Sequence, residues 1–144
     1  MGHDARVATH LPASVLIVED DPDLAASIGE LIDTVGYRWA WAPNGFHALQ
    51  ALRVERPAMM LVDIFMPVMN GSDFLGIVRR SAEWSDIPRV IMTGINDGMI
   101  GVKEDTAVLY KPLDLALLLH LVHRHCGPGH VVPARAEQLT PGTV

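Results

Sequence analysis

The sequence predicts a doubly wound α/β fold built on a five-stranded parallel sheet, and three observations lead there. Short β-branched apolar runs alternate with amphipathic stretches whose apolar residues recur every three or four positions. Each run stops abruptly at a polar group, as a strand covered on both faces does where it leaves a sheet. The 144 residues, 49% hydrophobic and 19% charged, suffice for one well-buried core and leave no room for a second full-sized domain. Strands that alternate with helices imply right-handed crossovers with helices on both faces of the sheet.

Taken in order, residues 1–13 carry no periodicity and read as a flexible leader. Ser14 to Val18 (SVLIV) is the first strand, and it halts at Glu19, Asp20 and Asp21. Pro22 suits the first position of a helix, Asp21 its cap, and Asp23 its dipole. Leu24, Ile28, Leu31, Ile32 and Val35 give that helix one buried stripe, with Gly36 as its left-handed terminator. Tyr37 to Ala42 is the second strand. Asn44 caps a helix reaching about Arg56, with Ala48, Leu49 and Leu52 inward, and Pro57 ends it. Ala58 to Val62 is the third strand, ending at Asp63. The segment FMPVMNG (65–71) is a loop, followed by a helix over Ser72 to Ala82 with Leu75 and Val78 inward.

Arg89 to Met92 is the fourth strand, ending at Thr93. Beyond it Gly94, Gly98 and Gly101 each cost a helix about 1 kcal/mol, so the fourth helix is expected to be short, irregular or absent. Val108 to Tyr110 is the fifth strand, ending at Lys111-Pro112. Leu113 to about His125 forms a last helix more apolar than a single stripe requires, which points to a contact beyond the sheet, such as a homodimer. Residues 127–144, rich in Gly and Pro, read as a flexible tail, which leaves 14–126 as the domain. Trp39, Trp41 and Trp84 are expected to be packing residues.

The net charge of −6 opposes the electrostatic footprint of a nucleic-acid binder, so no direct nucleic-acid contact is expected. The single cysteine, Cys126, excludes an internal disulfide and fits a reducing compartment. No stretch approaches the roughly 18 apolar residues of a membrane span. No membrane insertion and a cytoplasmic location are therefore expected.

In a parallel sheet of this kind, ligands bind outside the carboxyl ends of the strands. That rule gathers Glu19 and Asp20 from strand one, Asp63 from strand three, Thr93 from strand four and Lys111 from strand five. Three adjacent carboxylates repel one another and need a cation to stay ionised, and an all-oxygen donor set suits Mg²⁺. Lys111 and Thr93 suit phosphoryl oxygens. Asp63 is the natural nucleophile, able to form an aspartyl-phosphate while the metal and lysine neutralise developing charge. His120, His123, His125, Cys126 and His130 also invite a zinc reading, but histidines near a helix C-terminus are accounted for by its dipole.

From Val15 to about Cys126 the sequence resembles the receiver domains of bacterial two-component response regulators. The resemblance rests on VLIVEDD (15–21), DIFMPVMNG (63–71), IMTG (91–94) and YKP (110–112). It implies a flavodoxin-like receiver fold over 14–126 in which Asp63 accepts a phosphoryl group from a sensor histidine kinase or a histidine phosphotransfer protein. It further implies that Glu19, Asp20, Asp63 and the main-chain carbonyl of Phe65 hold Mg²⁺, that Lys111 contacts the phosphoryl group, and that Thr93 moves toward it as a switch. The bond between Lys111 and Pro112 is expected to be cis. Such a domain is not a conventional enzyme: it assists its own phosphorylation and slow dephosphorylation, and acts through a downstream protein target. Phe65, two residues after the acceptor, is expected to shield the phosphoryl group from water.

Two departures stand out. Val108 occupies the place of the family's aromatic switch residue, with Tyr110 beside the lysine instead, and only 17 residues separate Thr93 from Lys111. The alternatives that remain are a receiver excised from a hybrid sensor kinase and a pseudo-receiver acting only through protein contacts. An aspartate-nucleophile phosphatase would want a second acid where Phe65 stands. A nucleotide binder would find its phosphate repelled by Glu19, Asp20 and Asp21.

Overall fold

The computed structural model describes residues 14–94 and 107–127. The leader, the segment of the fourth helix and all of the tail except Gly127 lie outside the described residues. The elements run β1 (Ser14–Val18), α1 (Pro22–Thr34), β2 (Arg38–Ala42), α2 (Gly45–Val54), β3 (Met59–Asp63), α3 (Gly71–Arg80), β4 (Arg89–Gly94), β5 (Ala107–Lys111) and α4 (Leu115–Cys126). All strand pairings are parallel, in the order β2-β1-β3-β4-β5. This is the doubly wound five-stranded sheet that the alternation predicts.

Alternate residues of each strand feed two separate cores. Val15, Ile17, Met59, Leu61, Val90, Met92 and Leu109 pack beneath α1 and α4, against Ile28, Ile32, Leu118 and Val122. Leu16, Val18, Met60, Val62 and Ile91 face the other way, against Leu49 and Leu52 of α2 and Phe74, Leu75 and Val78 of α3. A sheet covered on both sides needs strands that are apolar at every position, and β1 and β3 are buried throughout.

The helix ends follow local chemistry. Asp21 accepts from the amides of Asp23 and Leu24, so α1 begins at Pro22, and Gly36 leaves it at φ 86°. Within α1, a Cβ on Gly29 would lie 2.3 Å from the Trp39 ring, so the glycine admits the indole onto the helix. The cost of about 1 kcal/mol for a helical glycine is small beside the roughly 1.5–3 kcal/mol from each of the buried Ile28 and Ile32. Asn70 caps α3 by accepting from the Asp73 amide at 2.9 Å, which starts that helix at Gly71. Asp114 does the same for α4, which starts at Leu115. The Tyr37 hydroxyl donates to the Gly127 carbonyl and ties the end of α4 back to the start of β2.

The apolar residues of α4 divide between the core and the surface. Leu118, Leu121, Val122 and Cys126 are buried, whereas Leu115 and Leu117 are exposed. Trp39 and Trp84 pack against the two cores. Trp41 departs from expectation: it is 42% exposed, and its indole is engaged by a hydrogen bond described below.

Candidate functional site

The strand order sets the site. β1 and β3 are neighbours in the middle of the sheet, so the acids that follow β1 stand beside the acid that ends β3. Glu19 is held in line by its own amide, which donates to the Ala42 carbonyl at 3.0 Å. Its carboxylate Oε2 accepts from the Asp21 amide at 3.1 Å. Trp41 Nε1 donates to the Glu19 carbonyl at 2.6 Å. Asp63 is fixed on β3, and its Oδ1 accepts from the Phe65 amide at 3.2 Å. Lys111 closes β5 just before a cis peptide bond to Pro112.

These elements bring the three carboxylates together. One oxygen each from Glu19, Asp20 and Asp63 lies within 4.8 Å of the others, with Glu19 and Asp63 buried and Asp20 exposed. Among the described residues this is the one such group of three metal-ligating side chains, and the histidines of α4 form none. Lys111 Nζ stands 3.3 Å from Asp63 Oδ2 and 3.1 Å from Glu19 Oε1. Both contacts are ion pairs, and the one to Asp63 is also a hydrogen bond. Two buried carboxylates that share one lysine ammonium keep lone pairs for a further ligand.

Electrostatics agree. Burial, and then the Asp63 charge, push the Glu19 carboxyl up to about 7, against the Asp21 amide and Lys111. Burial also raises Asp63, against Lys111 and the Phe65 amide. Burial pulls Lys111 down, but the Asp63 and Glu19 carboxylates outweigh it and hold its ammonium above the ordinary value. One lysine beside three acids leaves a net negative pocket. Its all-oxygen donors, one of them facing solvent, fit a hard divalent cation that keeps some of its water.

Of the other residues singled out in the sequence, Thr93 is buried at the end of β4, in register with Tyr110, and its Oγ1 is 3.5 Å from the Gly94 carbonyl. Phe65 contributes its amide to Asp63 and is itself 48% exposed. Val108 packs partly buried on the α2 and α3 side, and Tyr110 is exposed. Asp21 serves as the α1 cap. The bond from Trp41 to Glu19 went unread in the sequence. Trp39 and Trp41 share one face of β2, and that pattern signals packing for both.

Among the described residues no helix is long and apolar enough to cross a membrane. Residues 15–123 match the response regulator receiver domain. Protein Rrf1 of Nitratidesulfovibrio vulgaris is 30% identical over 114 residues, covering 79% of this chain and 83% of its own length. The sensor histidine kinase TmoS of Ectopseudomonas mendocina is 35% identical over 89 residues, 62% of this chain but 9% of the kinase. The solved structure of the Vibrio cholerae chemotaxis protein CheY4 superposes with a TM-score of 0.70 at 26% identity, covering 79% of this chain and 98% of that one. The chain therefore belongs to the response regulator receiver domain family of two-component signal transduction.

Proposed function

We propose that this chain is a phosphorylation-controlled switch that takes a phosphoryl group onto Asp63 from a sensor histidine kinase or a histidine phosphotransfer protein. The observation that carries this reading is the buried Asp63 carboxylate set between two further acids and the Lys111 ammonium. Glu19, Asp20, Asp63 and the main-chain carbonyl of Phe65 would hold Mg²⁺. The ion would neutralise the pocket and the charge that develops on the transferring phosphoryl oxygens. In the transfer, the nitrogen–phosphorus bond of a phosphohistidine breaks as an Asp63 oxygen bonds to phosphorus, and the imidazole leaves and takes up a proton. Lys111, 3.3 Å from Asp63 Oδ2, would follow an oxygen of the new acyl phosphate, and Thr93 would approach from β4.

Phe65, half exposed two residues after the acceptor, would hinder attacking water, so hydrolysis of the acyl phosphate would be slow. The added charge biases the loops at this edge and passes the signal to a downstream protein in the cytoplasm, without direct contact to nucleic acid. A groove of about 460 Å³ between α1 and the start of α4, lined by Leu24, Leu31, Leu113 and Leu115, gives a protein partner or a second copy of the chain an apolar place to dock. The kinase relative supports a second reading, in which this receiver is one part of a hybrid sensor kinase.

The test is to incubate the chain with Mg²⁺ and phosphoramidate and compare intact mass with Asp63→Asn. One phosphoryl adduct on the parent and none on the variant is expected. An equal adduct on both rules out the acceptor, and no adduct on the parent favours a domain that works through protein contacts alone.

A further inference from the structure

The peptide between Glu19 and Asp20 joins two acids of the proposed metal site, and its carbonyl is held from outside the strand ladder. The β1–β2 ladder ends where the Glu19 amide meets the Ala42 carbonyl at 3.0 Å. Pro43 follows, and Asn44 already caps α2. The donor to the Glu19 carbonyl is instead the Trp41 indole, with Nε1 at 2.6 Å.

Trp39 makes an instructive contrast on the same face of β2. Its ring lies on Gly29 of α1, and its Nε1 donates to Asp33 at 3.1 Å, so packing accounts for it. Packing does not account for Trp41, which leaves 42% of its surface in water. What Trp41 does hold is the plane of the Glu19–Asp20 peptide. That plane fixes the direction in which the exposed Asp20 side chain leaves the backbone, next to a Glu19 whose carboxylate is already pinned by the Asp21 amide. Lys111 offsets part of the repulsion among three carboxylates within 4.8 Å of one another, and a restrained backbone keeps them from turning away.

We propose that Trp41 is a positioning residue of the cation site, its indole N–H setting the Glu19–Asp20 peptide so that both carboxylates face Asp63 before an ion arrives. This rests on reading the acidic cluster as a Mg²⁺ site. Trp41 touches neither ion nor phosphoryl group; it acts through the backbone of the two acids, as residues that orient metal ligands commonly do.

The experiment uses the full chain. Trp41→Phe keeps an aromatic ring and removes the N–H donor, and Trp39→Phe is the matched control. Mg²⁺ binding is measured by titration calorimetry, and the rate of phosphorylation by phosphoramidate is followed as a function of Mg²⁺ concentration. Trp41→Phe should weaken Mg²⁺ binding about fivefold, the scale of one hydrogen bond's net contribution, with the rate at saturating Mg²⁺ within about twofold of the parent. Trp39→Phe should lower the melting temperature and leave Mg²⁺ affinity alone. A third arm depends on neither loss: in a Trp39→Phe, Trp84→Phe chain, whose remaining tryptophan is Trp41, emission should change at the calorimetric midpoint of Mg²⁺ binding.

Equal Mg²⁺ affinity in parent and Trp41→Phe overturns the inference. So does an equal weakening in Trp39→Phe, or Trp41 emission that ignores the ion. A parent chain that binds no Mg²⁺ at all brings down the metal reading itself, which separates that failure from this one.

Discussion

Gly71 and Gly76 lie on the same helix, α3, yet the same substitution should act on them with opposite sign. The Gly71 amide donates to the Ile64 carbonyl at 2.8 Å, which sets the start of α3 directly on the chain leaving the acceptor residue. A methyl built on Gly71 would stand 2.1 Å from the Asp63 carbonyl oxygen and 2.8 Å from Ile64 Cα. Ordinary contact begins at 3.4 Å, so about 1.3 Å must be found, and both obstacles are backbone. Asp63 is locked in the β3–β4 ladder and Ile64 is tied through its amide to the Met92 carbonyl, so α3 has to yield. Overpacking of this kind costs about 1–3 kcal/mol, and for Gly71→Ala we expect about 2 kcal/mol, carried by the displacement of α3. At Gly76 the nearest obstacle is the flexible Arg80 guanidinium at 3.6 Å, so Gly76→Ala should gain about 1 kcal/mol from helix propensity. Urea unfolding of the two variants beside the parent reads both signs, provided the m-values agree. A Gly71→Ala midpoint at or above the parent's would refute the steric argument, as would a Gly76→Ala midpoint below it.

Three further outcomes follow from the site and the core. The Glu19 carboxyl titrates near 7 in the fold and near 4.5 in the unfolded chain, so the metal-free fold is favoured below 4.5 and loses that contribution as pH rises through 7. Glu19→Gln should therefore raise the urea midpoint of the metal-free chain at pH 8, with the gain shrinking toward pH 5; a gain that grows on acidification contradicts the assignment. Phe65→Ala removes the half-exposed ring two residues after Asp63 and should speed phosphoryl loss several-fold, measured as decay of the intact-mass adduct after the donor is removed, whereas an unchanged decay rate removes Phe65 as a shield. Burial pushes the Cys126 thiol up to about 11, which leaves roughly 0.1% thiolate at pH 8. Iodoacetamide should label it slowly in buffer and readily in urea, and fast labelling of the native chain would show that the end of α4 opens.

Much of this was legible in the residue pattern because a sheet covered on both faces leaves a simple signature. SVLIV gave β1 its observed limits, and Asp21, Asn44 and Gly36 mark helix ends through their own hydrogen bonds or backbone angles. The misreadings have physical causes. β4 continues through Thr93 and Gly94 because strand pairing joins backbones whatever the side chains, and these two residues pair with Tyr110 and Lys111. Asn70-Gly71 reads as a turn in sequence, but here the asparagine caps α3 and the glycine is its first residue. The carboxylates and the lysine of the site could be found because each ends a strand. Trp41 and Gly71 could not, because their roles depend on which backbone atom lies opposite, and periodicity carries no record of that.

The site draws its charges from strands that differ in how firmly they are anchored. Glu19, Asp20 and Asp63 extend from β1 and β3, each hydrogen-bonded along both edges, while Lys111 ends β5, which has a neighbour on one side only among the described residues. Amide exchange with deuterium should accordingly slow toward the acidic strands and quicken toward the lysine strand. The anionic half of the pocket is the fixed jaw and the cationic half the one free to fray, so whatever disturbs the outer margin of β5 changes the charge balance at Asp63 without unseating the acids.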